Sequence, residues 1–170
     1  MIKPISVELP YPDITNVVTN KKTARLLGEA YAGRHSELNT ILQYVYHYLY
    51  FKRLGDNFSA KTVLGIALCE MKHMEILGEL LLKLGADPVF YYPTPLFKDC
   101  PISSVSFAMT KQKMVFDNVS IEMVEISCYK KILDCVSEQT TREVLKRIIL
   151  DEELHVKILK DMLNNKHFAN

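Results

Sequence analysis

Two short patterns in this sequence place an imidazole three residues after a carboxylate: Glu70 with His73, and Glu152 with His155. On a helix a three-residue step is nearly one turn, so each pair presents both groups on one face. Each pair also has an upstream companion at a comparable distance, Glu37 before the first and Glu122 before the second. The chain therefore offers twice the same set, a Glu followed by Glu-x-x-His. Glu70 and Glu152 lie on apolar stripes, the first running from Ile66 and Ala67 to Met74 and Leu77, the second from Ile148 and Ile149 to Val156 and Leu159. All six side chains are thus expected to meet in a core. Buried carboxylates without partners each cost several kcal/mol, and four at one depth repel one another unless something neutralises them. Two divalent cations do so. Carboxylate and imidazole suit iron, manganese or zinc, so the expectation is two metal ions, iron or manganese, each with one His and with carboxylates bridging them.

Several neighbours bear on that site. Glu125 competes with Glu122 for the third-helix position, because helix three has apolar residues on both candidate faces; the internal repeat favours Glu122, since Tyr44 follows Glu37 by the same interval at which Tyr129 follows Glu122. Both tyrosines would lie two turns beyond a ligand, where each hydroxyl could bond a ligating carboxylate or simply pack in the core. Asp151 is a candidate acceptor for the free ring N–H of a metal-bound His, or else a solvated acid. His35, His47 and His167 fit neither pattern and are expected at the surface.

The elements that must position these residues can be read from periodicity. Pro4, Pro10 and Pro12 keep the first 20 residues irregular. Apolar residues at three-and-four spacing predict helices over about 23–54, 59–85, 110–135 and 140–163, the second capped by Ser59 and ended by Gly85. Helices of about 25 residues are roughly 37 Å long. The intervening stretch 86–109, with Pro88, Pro93, Pro95 and Pro101, can run that distance in extended form, so helix three can start at the same end as helix two. The predicted fold is all-α: a single domain over 1–170 made of two helical hairpins joined by a long crossover, the ferritin-like arrangement of a four-helix bundle.

Composition narrows the function classes. A chain of 170 residues and 48% hydrophobic content can bury one sizeable core. Its 21 basic and 20 acidic residues nearly cancel, with no basic run for a phosphate backbone, which argues against a nucleic-acid partner. No segment approaches 18 uncharged apolar residues, and no apolar leader stands near Met1, so no membrane association and a soluble, cytoplasmic protein are expected. Cys69, Cys100, Cys128 and Cys135 form no CxxC pair and read as reduced, mostly buried thiols.

With these residues in view, 23–163 resembles the ferritin-like dimetal carboxylate superfamily, which includes bacterioferritin, rubrerythrin and manganese catalase. Glu70-Met71-Lys72-His73 looks like the second-helix motif of bacterioferritins, and Asp151-Glu152-Glu153-Leu154-His155 like the fourth-helix motif of rubrerythrins. Tyr44 stands where both have a site tyrosine, and Gly33 to Tyr46, with Glu37-Leu38-Asn39, is similar to manganese catalases. The resemblance implies a site that reacts with oxygen or hydrogen peroxide. It implies peroxide reduction or disproportionation first; ferroxidation coupled to iron storage or detoxification is the alternative, and a structural bundle clamped by metal the third. Without rubredoxin-type cysteines, rubrerythrin-like peroxidase activity would need an external electron donor. Bacterioferritins bind haem through a helix-two Met at a dimer interface, the position of Met71, but Met there is commonly packing and haem is not expected. Glu125 could act as an additional mobile ligand, as the extra carboxylate of rubrerythrins does. A homodimer, or a larger homo-oligomer, is expected rather than a storage cage.

Overall fold

The computed structural model describes residues 2–90 and 104–164, and among them every regular element is helical. In chain order these are α1 (Lys21–Ala32), α2 (Glu37–Arg53), α3 (Asn57–Lys83), α4 (Lys111–Cys135) and α5 (Gln139–Asn164). The long helices α2 to α5 form a ferritin-like four-helix bundle, with α2 packed along α3 and α4 along α5 as two hairpins. Of the expected crossover, 91–103 lies outside the described residues, as does His167.

The expected first helix is interrupted. Over 33–36 the chain leaves α1, which packs on α2, α3 and α4, and starts again as α2 with Glu37 as its first residue. A Cβ on Gly33 would lie 2.5 Å from the Glu29 carbonyl oxygen, so a glycine is required where the chain turns off. Ser36 Oγ then donates to the Gly33 carbonyl at 2.8 Å, holding the bend. Other boundaries follow capping chemistry. Asp56, rather than Ser59, caps α3, its side chain accepting from Ser59 N–H at 3.0 Å. Glu138 accepts from the amides of Thr140 and Thr141 ahead of α5. Of the described cysteines only Cys69 is buried; Cys128 is half-buried and Cys135 exposed, because both fall on the outer part of α4.

The apolar core divides in two. One part joins α1 to the ends of the other helices through Leu27, Leu77, Leu81, Tyr129, Leu145 and Ile148. The other gathers Tyr44, Phe51, Val63, Ile66, Met114 and Leu159. On α3, α4 and α5 the residues Glu70 and His73, Glu122 and Glu125, and Glu152 and His155 fall in sequence between these two layers, and on α2 Glu37 stands ahead of the second. No described helix is long and apolar enough to cross a membrane.

Candidate metal centre

Glu37, Glu70, His73, Glu122, Glu152 and His155 all have 0% exposure and converge from four helices. Their donor atoms fall into two groups, Glu37, Glu70, His73 and Glu152 in one and Glu70, Glu122, Glu152 and His155 in the other, with all atoms of a group within 4.8 Å of one another. Glu70 and Glu152 belong to both. The rings are oriented alike. His73 Nδ1 stands 2.9 Å from Glu70, 3.0 Å from Glu152 and 3.6 Å from Glu37. His155 Nδ1 stands 2.9 Å from Glu70, 3.3 Å from Glu122 and 3.5 Å from Glu152.

Each Nε2 points the other way, toward an acceptor. His73 Nε2 lies 3.1 Å from Asp151 Oδ2, and His155 Nε2 lies 2.7 Å from the Ile5 carbonyl oxygen. A proton on each Nε2 leaves a lone pair on each Nδ1 directed at the carboxylates, the tautomer a metal ligand needs. Asp151 is itself held by the Val7 amide at 2.7 Å, the Tyr11 hydroxyl at 2.6 Å and Arg147 Nη1 at 2.7 Å.

The donor set fits a pair of cations. Glu37 Oε2, Glu70 Oε1 and both oxygens of Glu152 are buried and make no hydrogen bond, although an imidazole nitrogen lies close to Glu70 Oε1 and Glu152 Oε1. Buried acceptors left in that condition are costly. Within each group the donor atoms stand within 4.8 Å of one another, close enough to surround one cation. Six oxygen and nitrogen donors with two shared carboxylates match first-row divalent metals.

Without metal, protons must do the neutralising. Burial drives Glu37 well above the ordinary carboxylate range and Glu122 up to about 8. Burial also opposes charge on His73 and His155, but Glu37, Glu70 and Glu152 around the first, and Glu122 and Glu70 around the second, outweigh it and hold both rings well above their usual value. Glu70 and Glu152 feel burial most, and a neighbouring carboxylate besides, yet the two histidines, and at Glu152 the adjoining Glu122 first, bring them below the ordinary value. Asp151 is held far below it, burial being overcome by the bonds from His73, Tyr11 and Val7.

Around the six residues, Tyr44 donates to Glu122 and Tyr129 to Glu37, so each tyrosine bonds the carboxylate of the opposite hairpin. Burial, then the adjoining carboxylate, pushes both phenols well up. Glu125 is buried beside the cluster but belongs to neither group; it accepts from Thr40 Oγ1 at 2.7 Å, and burial drives it well above the ordinary value. Met71 is exposed on α3 and faces away from the cluster.

His35 is exposed as expected, but His47 is fully buried, its Nδ1 2.7 Å from Asn118 Oδ1, which also accepts from Gln43 Nε2 at 3.0 Å. The outward turn expected of His47 fails because α2 carries a polar stripe, Thr40, Gln43 and His47, into its contact with α4, while Leu42 and Leu49 stay exposed. Sequence reasoning also missed the N-terminal segment lying across α3 and α5. Its signals were local: Gly65 in mid-helix and the Arg147/Asp151 pair one turn apart on α5.

The profile of the ferritin-like domain family matches residues 34–167. Among solved structures, a wild-type manganese catalase from Anabaena is 17% identical with a TM-score of 0.78, the likeness covering 92% of this chain and 78% of that one. A bacterioferritin from Rhodobacter capsulatus, described as having a metal-free dinuclear site and haem iron, is 20% identical with a TM-score of 0.73 over 86% of each chain. No curated protein sequence matches significantly.

Proposed function

The chain belongs to the ferritin-like domain family, and from that premise we propose that it is a dinuclear iron or manganese redox protein that consumes hydrogen peroxide. Its ligands in this reading are Glu37, Glu70, His73, Glu122, Glu152 and His155. The observation that carries it is the pair of four-residue groups sharing Glu70 and Glu152, since two such groups with carboxylates in common would hold a pair of ions. The likeness to a manganese catalase favours peroxide as the molecule handled.

Held by these six residues, a metal pair would supply the redox capacity that peroxide reduction or disproportionation needs. The protein supplies the rest. Asp151 and Ile5 keep the Nε2 protons in place, so both Nδ1 atoms stay available. Tyr44 and Tyr129 hold protons against Glu122 and Glu37, where they steady the outer carboxylates as local charge changes. The apolar layers on either side exclude bulk water. Glu125, its carboxyl pushed well up by burial and tethered by Thr40, is positioned to carry a proton beside the cluster or to swing in as an extra ligand.

Exposed Leu42, Leu49, Phe116 and Met123 support a homodimer or larger assembly, and reductive turnover would draw on an external electron donor. Ferroxidation with iron storage is the second reading, favoured by the bacterioferritin likeness; it predicts a large hollow oligomer on size exclusion. The deciding measurement is metal analysis of anaerobically purified protein followed by an oxygen-electrode assay with hydrogen peroxide, with and without reductant. The proposal expects two iron or manganese ions per chain, one for each group, and peroxide loss. Oxygen release identifies disproportionation, and dependence on reductant identifies reduction. Less than one metal per chain after reconstitution would overturn it.

A further inference from the structure

The two histidines are oriented by unlike partners. His73 donates to a carboxylate on α5 that Arg147 and Tyr11 also hold, all within the bundle or against it. His155 donates to a main-chain carbonyl, that of Ile5, which belongs to no helix. The segment around Ile5 is extended, with Lys3, Pro4, Ser6 and Glu8 exposed. It is fastened by few bonds: Ile5 N–H to the Gly65 carbonyl at 2.9 Å, Val7 N–H and Tyr11 O–H to Asp151, and Arg147 to the Val7 and Leu9 carbonyls at 2.9 Å each. Segments held this way open more readily than a packed core.

Gly65 is what lets the segment lie flat on α3. A Cβ there would stand 2.8 and 2.9 Å from Ile5 Cγ1 and Cδ1, and 3.2 Å from the Lys3 carbonyl oxygen. A glycine in mid-helix costs stability, roughly 1 kcal/mol against alanine, so its presence is explained by the close approach it permits.

We infer that residues 3–11 form the outer wall of the metal centre, a positioning element that orients His155 through the Ile5 carbonyl, and that the Glu122/His155 position is the one weakened when this wall lifts. The inference rests on the ligation proposed above. The Glu37/His73 position keeps the Asp151 carboxylate, which Arg147 retains on α5, whereas His155 without the Ile5 carbonyl is left with the weakly accepting thiol of Cys69. Partners that orient a metal-bound imidazole are each worth about 10- to 100-fold in metal affinity.

The test is calorimetric titration of the metal-free, full-length chain with Mn(II), comparing wild type, Gly65→Leu, Ile5→Pro and the double variant Gly65→Leu/Ile5→Gly. Gly65→Leu strikes the Ile5 side chain and lifts the wall; Ile5→Pro removes the donor to Gly65 without altering α3. The wild type is expected to bind in two steps. Either single variant should weaken one step about 10- to 100-fold and leave the other. The double variant, which removes the side chain that the leucine strikes, should recover the weakened step. Two unchanged steps in both single variants would overturn the inference while leaving the proposed ligation intact. Failure of the double variant to recover, together with an unchanged Ile5→Pro variant, would overturn it too, because the leucine would then be acting through α3 itself. A wild type that binds less than one Mn(II) would instead overturn the ligation on which both rest.

Discussion

At the scale of single residues, the six cluster side chains are not equivalent. Glu70 and Glu152 reach both groups of donors, whereas Glu37 and Glu122 each reach one. Under the proposed ligation, Glu37→Ala removes a ligand from one position and leaves Glu70, Glu122, Glu152 and His155 together, so reconstituted protein should retain one metal per chain. Glu152→Ala strips a ligand from both and should lower occupancy at both. Inductively coupled plasma measurement of metal per chain decides it; equal losses in the two variants would show that the shared carboxylates are not bridging. Most of this constellation was legible in the sequence, because a Glu-x-x-His pair on an apolar stripe can hardly point elsewhere. His47 was not. Its stripe-mates Thr40 and Gln43 repeat at helical spacing but are polar, so counting apolar residues on α2 selects a face that includes the exposed Leu42 and Leu49. Ile5 was illegible for a different reason: its contribution is a main-chain carbonyl, which no side-chain pattern records.

At the scale of elements, what needs explaining is how two hairpins are held at a layer full of acids. Part of the answer is the reciprocal pair of tyrosine bonds, from α2 to Glu122 on α4 and from α4 to Glu37 at the start of α2. The interruption over 33–36 matters here as well, since it makes Glu37 the first residue of a helix, where the helix dipole favours a negative charge. Periodicity alone could not reveal that break: the apolar spacing runs on across it, and what marks it is local, a glycine with no room for a Cβ beside the Glu29 carbonyl and the Ser36 hydroxyl bonded back to Gly33. The bounds expected for the other three long helices, by contrast, lie within two residues of α3, α4 and α5, because apolar stripe and turn residues agree there. Replacing Tyr44 or Tyr129 by Phe leaves a buried carboxyl without its donor. Each change should cost about 1–3 kcal/mol in the metal-free protein, read as a lower urea midpoint at unchanged slope. Midpoints unmoved in both variants would mean the tyrosines are only packing.

At the scale of the whole molecule, the buried layer makes stability depend on pH in a direction opposite to that of most acid-rich sites. His73 and His155 are raised in the folded state above an unfolded value of about 6.5, and Glu122 is raised to about 8 from an unfolded value of about 4.3. The folded chain therefore binds more protons than the unfolded chain between roughly pH 4.5 and 8, and where that holds stability falls as pH rises. Asp151, Glu70 and Glu152 are depressed instead; their contribution is present above about pH 4 and is lost as pH drops through their folded values. Metal-free protein should accordingly melt highest in mildly acid solution and lose Tm steadily toward pH 8. Under the proposed ligation cations would take the place of the protons, so their binding should release protons and tighten with pH. The Tm gained on adding Mn(II) should then grow from pH 6 to 8, even as the metal-free Tm declines. Calorimetric melts across pH 5–9, with and without the ion, test both slopes. A metal-free Tm that stays level or climbs through that window would mean the layer does not hold its acids and imidazoles protonated, and the argument from buried charge to paired metals would lose its footing.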